Sequence, residues 1–188
     1  MEQQLLAGLL QRGISLPVAQ GKVANMIAES GLNPGVNEIN PTVAGSRGGY
    51  GLNQWTGPRR RQYEAFAAQN GADPADPNTQ LDFTLWEFNN TEKGAWSALQ
   101  GAPDAATAAR IYSEKFLRPG IPNMDRRVSE AERMAGTPQT NSLGAAQQPQ
   151  QGNALAQVQQ PWFKTTQIDP RAFMTTPNQL SLLRISRG

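Results

Sequence analysis

The chain has 188 residues, 38% of them apolar, with a formal net charge of +2 and neither cysteine nor histidine. That length allows one domain with a real core plus an appendage. The composition excludes disulfides, thiol nucleophiles and histidine-based triads, argues against a zinc centre, and leaves metal-free carboxylate chemistry.

Charge divides the chain. Residues 1–135 carry 13 Lys and Arg against 14 Asp and Glu, whereas residues 136–188 carry 4 against 1. Neither part has the dense basic cluster of a nucleic-acid footprint. The compact run Arg59 to Arg61 reads as a helix start. No run of 18 apolar residues marks a membrane span. "MEQQLLAGLLQRG" lacks the basic start, apolar stretch and cleavage site of a secretory signal, so delivery to an extracellular target is expected to come from elsewhere.

In chain order, a first helix is predicted from about Glu2 to Arg12, with Leu5, Leu6, Leu9 and Leu10 on one face and Gly13 ending it. A second begins at Ser15, with Pro17 in its first turn and an apolar face of Ala19, Val23, Met26 and Ile27. At 100° per residue Glu29 lies about 60° from Met26 and about 20° from Val18, at the edge of that face. Residues 31–57 hold seven of the 18 glycines and read as a loop or small β excursion. Helices are predicted from about Pro58 to Asn70, from "TQLDFTLWEFNN", near Ala95–Leu99, from Asp104 to Phe116, and from Met124 to Ala135. The last reads as charged and mostly exposed. Phe83, Trp86, Phe88, Trp96 and Phe116 fall at core spacing.

From Gly136 the chain turns to Gln, Pro, Thr and Asn without a sustained period. Such a segment does not bury enough surface to order itself. Its apolar clusters, Trp162–Phe163, Phe173–Met174 and Leu182–Leu183, suggest an extended arm that lies along a partner. The alternative is that it packs back on its own body.

The chemistry centres on Glu29, at a helix end broken at once by Gly31 and Pro34. A general acid for glycoside cleavage needs a carboxyl kept protonated near neutral pH, and the edge of an apolar face favours that form. The glycines after it would let a sugar chain approach the backbone. Tyr50 and Trp55 offer flat faces, and Asn53 and Gln54 offer amides. Taken alone, a glutamate at a helix end is more often a solvated residue, and Trp55 reads equally as cleft wall or core.

"AESGLNP" followed by "GGYGLNQWTGPRR" is similar to the phage tail lysozyme family, a branch of the goose-type lysozyme and soluble lytic transglycosylase superfamily. The resemblance rests on Glu29-Ser30, Pro34, Gly51-Leu52-Asn53-Gln54, Trp55-Thr56-Gly57, the stretch "QLDFTLWEF" from Gln80 to Phe88, and Arg118-Pro119-Gly120. It covers about residues 10–135. Before Arg118 the family often has an acid where this chain has Lys115-Phe116-Leu117, so no carboxylate role is carried over there.

The resemblance implies a mainly α, lysozyme-like α+β domain over residues 1–135 with a small β or loop wing at 35–55. It implies that Glu29 protonates the β-1,4 bond between N-acetylmuramic acid and N-acetylglucosamine in peptidoglycan, with Tyr50, Asn53, Gln54 and Trp55 binding the glycan and no metal or cofactor. A transglycosylase needs no second acid, whereas an inverting hydrolase needs one some 6.5–9.5 Å away. Glu38, Glu87 and Asp82 are the candidates. Glu38 reads first as a solvated loop acid, Glu87 as a structural or tuning neighbour, and Asp82 as a first-turn acid. The implied setting is a phage virion acting at the host periplasm or wall during genome delivery, with residues 136–188 tethering the domain to tail or ejection proteins. The rival reading is a catalytically inactive adaptor or plug of the tail. An amide-cleaving endopeptidase is disfavoured by the lack of Cys and His.

Overall fold

A computed structural model describes residues 1–41 and 43–136. The expected C-terminal arm and tether lie outside these residues. The described part is mainly helical: α1 (Glu2–Gln11), α2 (Leu16–Ser30), α3 (Gly57–Gln69), α4 (Pro77–Asn89), α5 (Lys93–Gln100), α6 (Ala105–Ile111) running on into a π-helical turn (Tyr112–Leu117), and α7 (Met124–Gly136). Local chemistry sets the ends. Proline occupies the first or second position of α2, α3 and α4, where its missing N–H costs nothing. Asp76 and Asp104 cap α4 and α6 by accepting from Thr79 and Thr107 N–H at 3.1 and 2.7 Å. Gly31 ends α2 with φ of 59°, a left-handed turn that glycine adopts at no steric cost.

Helix α2 is the axis of the domain. It packs against α1, α6, α7 and the π-helical turn. Nine consecutive residues, Val18 to Met26, are buried. The sequence suggested one apolar face, but the helix is enclosed on all sides, and three polar residues go inside with it. Gln20 donates to Met134 O, Asn25 donates to Gly21 O and Ala109 O, and Lys22 donates to Thr84 and Tyr112. Helix α7 also departs from expectation. Arg127, Val128, Ala131 and Met134 are buried against the body, so one face of this charged helix is core.

The expected β wing is loop. Among the described residues there are no strands, only two isolated antiparallel bridges, Asn37 with Tyr50 and Tyr50 with Trp55. A second, aromatic cluster supports this loop from below. Trp55 stacks on Tyr63 at 4.7 Å between ring centroids and meets Phe83 edge-on at 5.3 Å, with Phe66 alongside. Such pairs add about 0.5–1.5 kcal/mol each beyond area burial. Among the described residues no helix is long and apolar enough to cross a membrane.

Lys22 sits in the middle of a closed polar ring. Its Nζ donates to Thr84 Oγ1 (3.1 Å) and Tyr112 Oη (3.2 Å), Tyr112 donates to Asn53 Oδ1 (2.9 Å), and Asn53 Nδ2 donates back to Thr84 Oγ1 (3.1 Å). Burial pushes the Lys22 amine well below its ordinary range, against the pull of Glu87 and assisted by Arg12 and Arg59. Between the lowered folded value and the unfolded lysine value near 10.4 the unfolded chain binds a proton that the fold rejects, and stability rises with pH across that window. Thermal melts on the alkaline side, up to about pH 10, should show Tm climbing, with a slope of up to about 1.4 kcal/mol per pH unit for one proton. Lys22→Met, which removes the titrating group, should flatten that climb.

Candidate active site

Glu29 stands in the last turn of α2, and its side chain is 15% exposed. Its Oε1 accepts from Arg127 Nη2 at 2.8 Å. The same guanidinium donates from Nη1 to Asn25 Oδ1 at 2.8 Å and from Nε to Pro122 O at 2.5 Å. Among the described residues Oε2 makes no hydrogen bond. The next residue ties the helix end to the glycine loop, since Ser30 Oγ bonds Met26 O at 2.9 Å and Leu52 O at 3.3 Å. This bond sets the helix end that carries Glu29 against the "GYGLNQW" stretch, more than twenty residues further on.

Gln80 holds that loop in place. It is fully buried on α4. Its Oε1 accepts from Leu52 N at 2.7 Å, and its Nε2 donates to Pro34 O at 2.6 Å and Pro74 O at 2.9 Å. Gly51, with φ of 72°, lies flat on this amide, where a Cβ would come within 2.6 Å of Gln80 Oε1. Gly48 and Gly49 pack in the same way on Glu38 and Gln54. These three glycines are buried against protein. They serve the loop's own packing and do not clear a path for a sugar backbone.

A sequence profile of phage tail lysozymes matches residues 1–137. The chain belongs to the phage tail lysozyme family. It is also 32% identical over 139 residues to morphogenesis protein 1 of Bacillus phage B103, an alignment covering 69% of this chain and 37% of that protein. The chain therefore spans little more than a third of that relative's length.

The four glycan-binding candidates of this lysozyme-like domain separate into two pairs. Tyr50 and Gln54 are half-buried and keep exposed surface. Tyr50 stacks over Tyr63 at 6.2 Å and carries the Arg60 guanidinium 5.1 Å from its ring centre. Gln54, at φ of 49°, donates to Gly51 O at 2.9 Å. Asn53 and Trp55 point inward at 4% and 1% exposure. The Asn53 amide is spent on the Lys22 ring, and the Trp55 indole donates to Glu87 Oε2 at 2.9 Å.

Of the three further acids, Glu87 and Asp82 are paired with arginines and Glu38 is held through one oxygen. Glu87 is buried and pairs with Arg59 at 2.7 Å. Burial pushes its carboxyl up, while Arg59 and Trp55 pull it down. Glu38, expected as a solvated loop acid, instead accepts from Gly49 N at 2.9 Å and braces the loop. Asp82 lies in the second turn of α4 and pairs with Arg12 at 2.7 Å. Burial raises its carboxyl against that pairing. Asp82 and Glu87 face different partners, as their spacing of five requires.

Sequence reasoning missed Arg127, Asn25 and the role of Gln80. Asn25 did leave a signal, as a polar residue inside an apolar run. Gln80→Leu would strand the Leu52 N–H and the Pro34 carbonyl, each costing about 1–3 kcal/mol if left unpaired, whereas Pro74 O keeps the Tyr63 hydroxyl. The expected result is a Tm loss equivalent to at least about 2 kcal/mol, with helical circular dichroism retained at low temperature.

Proposed function

We propose that this phage tail lysozyme relative is a peptidoglycan glycosidase that cleaves the β-1,4 bond between N-acetylmuramic acid and N-acetylglucosamine, with Glu29 as the general acid. The observation that carries this reading is Glu29 itself. Among the acids weighed for the reaction, it alone sits at a broken helix end, with one carboxylate oxygen held by Arg127 and the next residue, Ser30, bonded to the loop that carries Tyr50 and Gln54. A general acid needs such a carboxyl within reach of the leaving oxygen.

In this account Glu29 Oε2 delivers its proton to the glycosidic oxygen as the sugar develops oxocarbenium character. Tyr50 and Gln54 supply the stacking face and amide that seat the glycan, and Asn53 and Trp55 shape the loop from inside. Glu87 and Asp82 are each ion-paired with an arginine inside the domain, and Glu38 is engaged by the loop backbone through one oxygen. That favours attack by the sugar's own 6-hydroxyl, with Glu29 serving as acid and then, as the carboxylate left behind, as base toward that hydroxyl, over an inverting hydrolysis that needs a second free carboxylate. The setting we propose is a virion that carries the domain to the wall, opening it locally for genome delivery, with residues 136–188 as the tether to a tail or ejection protein.

Glu29→Gln keeps an oxygen for Arg127 and so should fold normally. It should lower the rate of release of soluble glycan from purified peptidoglycan by at least about a hundredfold. Retention of the wild-type rate would remove Glu29 from the mechanism. Deleting residues 140–188 should leave activity on purified peptidoglycan intact and abolish incorporation into particles, with normal incorporation of the truncated chain counting against the tether.

A further inference from the structure

We propose that Arg127 is a positioning residue for Glu29, orienting its carboxylate so that Oε2 faces the scissile bond. The assignment rests on the glycosidase reading above. Arg127 is 3% exposed, although it lies on a helix whose sequence is otherwise strongly charged. Burying a guanidinium is expensive, and an apolar residue of similar volume would dock the same helix at lower cost. Val128, Ala131 and Met134 already fasten α7 to the body, together with the Gln20 bond to Met134 O. Arg127 is therefore not needed merely to hold that helix.

Its hydrogen bonds point to orientation. Nε is anchored on Pro122 O, Nη1 on Asn25 Oδ1 and Nη2 on Glu29 Oε1. Asn25 is itself immobilised, because its Nδ2 is shared between Gly21 O and Ala109 O. Asn25 and Glu29 are four residues apart on α2, one turn of one face. A planar, rigid fork spans such a pair, which a flexible ammonium does not. Glu29 would otherwise be a rotamer-rich side chain in the last turn of a helix, where ends fray. The fork holds Oε1 on the protein side and leaves Oε2 for chemistry.

The test compares the full-length wild type with Arg127→Met, Arg127→Lys and Met134→Ala on soluble glycan strands, with rates normalised to folded protein. Arg127→Met should lose tenfold or more in kcat while KM moves less than about threefold, because only the orientation of the acid is lost. Arg127→Lys should fall between Arg127→Met and wild type, since the ammonium can reach Glu29 or Asn25 but not both. Met134→Ala opens a cavity under the same helix without touching Glu29. It should lower Tm and keep the wild-type kcat.

Wild-type kcat in Arg127→Met would overturn the assignment. So would an equal kcat loss in Met134→Ala, which would make Arg127 only a fastener of α7. A folded wild type that releases no glycan fragments would overturn the glycosidase reading and this assignment with it, an outcome distinct from the first two because they occur in an active enzyme.

Discussion

Helices α2 and α6 touch backbone to backbone at Gly21. A Cβ there would lie 2.6 Å from Ala109 N and 2.8 Å from Ala108 C, far inside contact distance. That approach brings Ala109 O within 3.0 Å of Asn25 Nδ2. Asn25 then fixes Arg127, and Arg127 fixes Glu29. The geometry of the acid is thus set by one missing methyl group two turns earlier. Interiors packed to crystal density transmit such constraints because they have little room to relax.

The other side of the site is held by polar groups in the interior. Gln80, Thr84, Asn53 and Lys22 are all buried, and each is hydrogen-bonded. A buried polar group costs free energy unless it finds partners, so such a network is stable only in the arrangement that satisfies every member. Among the described residues of the loop between α2 and α3, this network sets the path with no strand pairing beyond two isolated bridges. The aromatic cluster of Trp55, Tyr63, Phe66 and Phe83 adds bulk beneath the loop. Tyr50 and Gln54 remain partly exposed on the other side of it.

Much of the fold was legible because helices announce themselves by period and by their ends. Leu5, Leu6 and Leu9, the Ser15 start, Gly31 and the α4 pattern all lie where periodicity placed them. What was not legible depends on partners distant in sequence. Arg127 looks like a surface residue because its two side-chain acceptors are 98 and 102 positions away. The glycines of the loop look like openings for a ligand because sequence does not reveal that Gln80, Gln54 and Glu38 fill the space against them. Trp55 and Asn53 belong to a motif whose position was readable and whose direction was not. Inward and outward residues in an irregular loop follow no period.

The central claim is that the domain cuts glycan and that nothing else in the wall is its substrate. Mass spectrometry of the fragments released from purified peptidoglycan tests it most directly. The account predicts glycan pieces cut between N-acetylmuramic acid and N-acetylglucosamine with every peptide stem intact, ending in 1,6-anhydro sugar if Glu29 works without a second acid. Cleaved peptide stems, or no soluble glycan from a chain shown to be folded, would contradict it.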